Sequence, residues 1–196
     1  LNIDYLINVV KNRKPLDVEA LFNQDIPLFI KVLNIDSNKT EFRRANKDNI
    51  FLLLTATICA LPYTWAFTQI DNSKYVDGML MDRLNLEPLL EKFRENKFIL
   101  ITSLRKPPRA RHYLKALGEG IVASLMMHNV YWVKTFLNRE TTMRKRWDTL
   151  FKNKKISVIQ PPPKFPVRPR TLDRSILYQT FKTGMKQGED FIRRQV

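Results

Sequence analysis

The sequence predicts a mostly α-helical bundle with at most a minor two-stranded β element, followed by a proline-rich basic connector and a C-terminal helix. Three observations carry that expectation. Glycine is scarce, 5 of 196 residues, which disfavours tight β-turns and phosphate-cradling glycine loops. Apolar residues recur at three- and four-residue spacing through long stretches of the C-terminal half. Five prolines crowd into QPPPKFPVRPR, residues 160–170, where neither helix nor central strand is tolerated. The organisation read from these is a helical core domain over 1–159, a proline-rich basic linker over 160–170 and an amphipathic helix over 171–196.

Element by element, residues 2–34 read as helices. Leu6, Val9 and Val10 form a stripe before Pro15, and Asp17 caps a run through Val18, Leu21 and Phe22. The polar stretch 34–49 reads as a loop. Residues 49–70 are uncharged over 22 positions, long enough to span a bilayer, but threonines and Pro62 interrupt them, so a buried pair of core helices is expected. Residues 85–97 form an amphipathic helix with Leu86, Leu89, Leu90 and Phe93 on one face and Glu87, Glu91 and Glu95 in solvent.

The apolar runs KFILITSL (97–104) and ISVI (156–159) supply the two-stranded patch. Residues 110–137 read as one long helix, apolar all round over 121–133, in which Gly118, Gly120 and Ala123 admit a close neighbour. His128 then falls in an apolar helix, as a core histidine. Residues 140–155 follow as a basic amphipathic helix with Met143, Trp147 and Leu150 inward. The terminal helix gathers Ile176, Leu177, Phe181, Met185 and Phe191 on its apolar face.

The net charge of +15 is lopsided. Residues 1–96 hold 12 Lys/Arg against 13 Asp/Glu, whereas residues 97–196 hold 22 against 6. A compact chain repels itself at that density, so a polyanionic partner is the economical expectation.

Signatures of catalysis are absent. GEGIVA (118–123) matches a dinucleotide fingerprint in letters only, because helical residues precede it where a strand is needed. No Walker loop, HExxH, GxSxG or CxxC is present, and His112 and His128 lack metal-ligand spacing. A non-enzymatic chain without cofactor or metal is the reading. The lone Cys59 excludes an internal disulfide and reads as a small buried hydrophobe. A reducing intracellular compartment follows, such as the mitochondrial matrix or a virion and its host cytoplasm.

The strongest signal is basic. RKPPRARHYLK carries Arg105, Lys106, Arg109, Arg111, His112 and Lys115. Arg139, Arg144, Lys145, Arg146, Lys152, Lys154 and Lys155 follow on the next helix, and Lys164, Arg168, Arg170 and Arg174 lie on or beside the proline arm. Guanidinium forks and ammonium groups suit phosphate, and Tyr113, Trp147 and Phe165 are interleaved as stacking platforms. The stiff basic arm resembles, in composition, the extensions by which structural proteins thread between RNA helices. The expected function is therefore a nucleic-acid-binding structural subunit, with RNA favoured, of a ribonucleoprotein or nucleocapsid-type assembly. Other protein subunits are expected on the arm and the C-terminal helix. The alternative is a subunit of a membrane complex, with residues 49–70 in the bilayer and the basic half on an anionic surface.

Overall fold

FIKVLN (Phe29–Asn34) forms strand β1, and its neighbours assemble a sheet around it. The computed structural model describes residues 2–64, 66–81, 83–102, 113–162, 165, 167 and 171–194, without the side chains of Tyr113 and Glu140. Before β1 come helix α1 (Ile3–Asn8), which runs on as a π-turn over Val9–Arg13, and helix α2 (Val18–Phe22), capped by Asp17 as expected. Strand β2 (Lys39–Arg44), helix α3 (Ile50–Ile58) and strands β3 (Thr68–Ile70) and β4 (Ser73–Asp77) follow. The sheet is antiparallel throughout, in the order β2-β1-β4-β3.

The mostly helical expectation is corrected by this sheet: about half of the described residues are helical and 16% are strand. The physical reason lies in β1 and β2. Val32 packs with Ile50, Leu53, Ala56 and Tyr75, on the side covered by α3. Its neighbour Leu33 packs with Val76, Ala123, Trp132 and Phe136 on the opposite side. A strand buried on both faces shows no polar alternation, and so resembles a helix segment in sequence. β2 is an edge strand of charged residues and looks like a loop. The turns dispense with glycine, because Asn38 (φ 54°) and Asp71 (φ 55°) take the left-handed positions.

Residues 49–70 are likewise not a helix pair. They comprise α3, a turn containing the cis Leu61–Pro62 peptide, and β3. Leu53, Ala56 and Leu61 are core residues, and no helix among the described residues is long and apolar enough to cross a membrane.

The long helix expected over 110–137 is divided. Helix α5 (Tyr113–Met127) ends where His128 adopts φ 50° and the Asn129 amide donates to the Ser124 carbonyl at 3.1 Å. That is the helix-ending role usually filled by glycine. His128 is therefore an exposed turn residue rather than a core one. Helix α6 (Tyr131–Lys152) returns, and Trp132 and Phe136 are its fully buried anchors. Truncating Phe136 to alanine would cost about 3–5 kcal/mol. Of the small residues on α5, Gly120 lies against Val133 and Phe136 and Ala123 is buried, whereas Gly118 faces open space. The apolar girdle over 121–133 is not buried all round, since Ile121, Leu125 and Val130 are exposed.

The chain divides into two compact units, 1–91 with 108–143, and 92–107 with 144–196. The first holds the sheet, α1 to α3, residues 87–91, α5 and α6 through Met143. In the second, strand β5 (Phe98–Ile101) pairs in parallel with β6 (Ile156–Ile159), the expected two-stranded element. Helix α4 (Glu87–Lys92) lies at the boundary, all but its last residue in the first unit, and in the second unit helix α7 (Arg174–Arg193) packs on β6.

Candidate nucleic-acid interface

Along α6 the 3.6-residue period sorts side chains by chemistry. Met143, Trp147 and Leu150 are buried, as expected, while Lys145 and Lys152 stand on the exposed side with Thr149 between them. The two lysines are seven residues apart, two turns or about 10 Å along the axis. Thr149 Oγ1 donates to the Lys145 carbonyl at 3.1 Å, so its hydroxyl is spent on the helix.

The helix stops at Asn153. The Ile156 amide donates to the Asn153 carbonyl at 3.0 Å and the Lys155 amide to its side-chain oxygen at 2.9 Å. This tight turn brings Lys154 and Lys155 out immediately after Lys152. Lys155 Nζ donates to the Arg94 carbonyl at 2.6 Å. Lys145, Lys152 and Lys154 are exposed and have no acidic partner among the described residues. Lys152, in the last turn at the negative end of the α6 dipole, stabilises the helix whether or not a ligand binds. Arg144 and Arg146 are half-buried and engaged within the chain.

Two more of the cations expected to meet phosphate are paired with an acid. Arg139 Nη2 lies 3.1 Å from Glu119 Oε2, with only 15% and 10% of the two side chains exposed. Lys115 reaches the same carboxylate at 3.8 Å, and the Tyr63 hydroxyl donates to its other oxygen. That hydrogen bond raises the Tyr63 pKa above its ordinary value, with burial adding to the effect. The guanidinium of Arg139 also covers the Phe136 ring at 4.9 Å. Glu119 thus ties α5, α6 and the turn after α3 together. Arg105, Lys106, Arg109, Arg111, His112, Lys164, Arg168 and Arg170 lie outside the described residues.

Among the aromatics, Trp147 is buried and belongs to the core stripe. Phe151, which periodicity did not single out, stacks on Trp147 at 5.2 Å and 22° and is 45% exposed beside Lys152. A half-exposed ring backed by a rigid indole is a suitable platform for a base.

A second polar constellation in the first unit also escaped the sequence reading. The Tyr75 hydroxyl donates to Glu41 Oε2 at 3.2 Å and accepts from Asn34 Nδ2 at 3.3 Å and Arg43 Nη1 at 3.5 Å. Arg43 also holds Asp71 at 2.9 Å. Each group here satisfies another across three strands, so the cluster rigidifies the sheet. Burial raises the Tyr75 pKa, as it does that of the Cys59 thiol. No group of three His, Cys, Asp or Glu suited to a metal occurs among the described residues. No protein-family model matches the chain, and neither does any curated protein or solved structure.

Proposed function

We propose that this chain is a non-enzymatic, polyanion-binding structural subunit that grips nucleic-acid phosphates, with RNA favoured, through the basic surface of its second unit. The observation that carries the reading is the contrast between two sets of cations. Arg139 and Lys115 share the Glu119 carboxylate, whereas Lys145, Lys152 and Lys154 stand exposed without an acid. Unpaired cations at this density repel one another, and phosphates supply the missing countercharge while releasing bound ions. Phe151 adds a surface for stacking without base selectivity. The setting that fits is a ribonucleoprotein or nucleocapsid-type assembly.

The test is fluorescence anisotropy of a labelled single-stranded RNA across a salt series. Changing Lys145, Lys152 and Lys154 together to Gln should reduce the slope of log affinity on log salt by roughly 2–3 units, at about 0.7–0.9 per lost contact. An unchanged slope in a folded variant would refute phosphate contact by these lysines. Phe151→Leu should weaken single-stranded RNA more than duplex of equal length, by about 1–3 kcal/mol if a base stacks there.

A further inference from the structure

Helix α7 is mounted with its apolar side outward. Ile176, Thr180, Thr183, Gln187, Asp190 and Phe191 form the half-buried side, with the half-buried Gly188 at its margin, and the helix packs on β6. Leu177, Tyr178, Phe181, Met185 and Ile192 occupy the other side and are each 42–63% exposed. Of the apolar face expected from sequence, only Ile176 and Phe191 turn inward. A contiguous apolar stripe on an otherwise charged surface marks an interaction site.

Two further features of the stripe say what covers it. Gly184 and Gly188, one turn apart, lie along its edge between Leu177 and Ile192, and a Cβ at either would meet nothing within 4 Å. Each glycine weakens the helix relative to alanine, and packing among the described residues gives no reason for either. Together they leave a notch in which another helix backbone can approach closely. Lys182, Lys186 and Arg193 then line the opposite edge in the exposed row i, i+4, i+11, with Glu189 the acid among them. A bilayer favours bulk along an apolar stripe and gains nothing from a notch. A second copy would bring another net charge of +15 to the same edge.

We infer that the outward face of α7 docks an amphipathic helix of a different protein, whose apolar seam seats on the Gly184–Gly188 notch and whose acidic flank pairs with Lys182, Lys186 and Arg193. This goes beyond polyanion binding and uses different residues on a different helix.

The probes are three synthetic helical peptides sharing one leucine–alanine seam, with glutamate, glutamine or lysine along the flank, titrated into the full chain by anisotropy. The glutamate peptide should bind best and the lysine peptide least. Gly188→Leu fills the notch and should weaken the glutamate peptide at least about tenfold, as blocking a central interface position does. The same affinity in Gly188→Leu, or equal affinity for all three peptides, overturns the inference. Gly188→Ala should raise thermal stability, because its Cβ meets open space, which shows that the glycine serves no internal packing. Vesicles with and without phosphatidylserine form another arm. Vesicle binding strengthened by Gly188→Leu, without peptide binding, would assign the face to an anionic bilayer and overturn the proposal. Concentration-dependent dimerisation abolished by Gly188→Leu would assign it to a second copy, with the same consequence. The Lys145, Lys152 and Lys154 triple variant should keep its peptide affinity. Loss there would reduce the peptide binding to general charge attraction and overturn the docking site, while leaving the RNA measurement to be judged separately.

Discussion

Replacing Gly120 with alanine probes the approach of α5 to α6, with Gly118→Ala as an internal reference on the same helix. Both substitutions gain helix propensity, worth roughly 1 kcal/mol. At Gly118 the new methyl meets nothing within 4 Å, so the gain should appear undiminished. At Gly120 it would stand 2.9 Å from the Val133 Cα, 3.2 Å from the Phe136 Cβ and 3.3 Å from the Val133 carbonyl oxygen. Two of those atoms are backbone and cannot rotate away, and Phe136 is held in the core beside Trp132. Overpacking of this kind costs about 1–3 kcal/mol. With a central cost of about 2 kcal/mol, Gly120→Ala loses about 1 kcal/mol net while Gly118→Ala gains about 1. The separation corresponds to about 4–8 °C in Tm for a chain of this size. Thermal unfolding followed by circular dichroism at 222 nm measures it directly. Equal upward shifts in the two variants would show that α5 and α6 do not meet at Gly120, and would remove the account of that end of the core.

Other outcomes follow from the charged groups. Glu119→Gln should destabilise the chain by about 1–3 kcal/mol in urea unfolding, since it leaves Arg139 largely buried without its countercharge. Burial raises the Asp77 pKa above its ordinary value, so the folded state holds this proton more tightly than the unfolded state. Stability from this group is therefore present below the unfolded pKa and lost as pH rises through the folded one. Asp77→Asn should raise Tm at neutral pH and converge on the parent protein in acid. Cys59 is buried with its thiol pKa raised by burial, so it should react with a disulfide reagent only in denaturant; rapid reaction in the native protein would contradict its placement.

Legibility from sequence followed the ratio of local to distant information. Asp17 as a cap, Met143, Trp147 and Leu150 as an inward stripe, and the pairing of 98–101 with 156–159 were readable, because periodicity and β-rich apolar runs are local. The four-stranded sheet was not. Val32 and Leu33 serve two cores on opposite faces, and Glu41 and Arg43 belong to a network that closes only when Tyr75 arrives from 34 and 32 residues away. The break at His128 was hidden because a histidine took a position normally signalled by glycine. In the candidate interface, Lys145 and Lys152 are exposed as their helix phase suggests, whereas Lys154 owes its exposure to the turn that follows the end of α6 at Lys152. Lys115 meets Glu119 locally, four residues away on α5, but the removal of Arg139 from the free cations depends on the same carboxylate 20 residues away. Phe151 lies off the inward stripe and stacks on Trp147 while remaining half exposed, an arrangement the spacing of apolar residues does not announce.

The parallel pairing of β5 with β6 sets a timetable for synthesis. The strand FILI is complete at residue 101, but its partner begins at residue 156. At 5–20 residues per second, about 3–11 s pass before β6 exists to receive it. Throughout that interval a run of four apolar residues with unpaired backbone groups is exposed, the composition from which strand-mediated aggregation starts. Parallel pairing across so many residues is also slow once both strands are present. The second unit consequently forms late, because its two-stranded sheet cannot close before residue 159 is made.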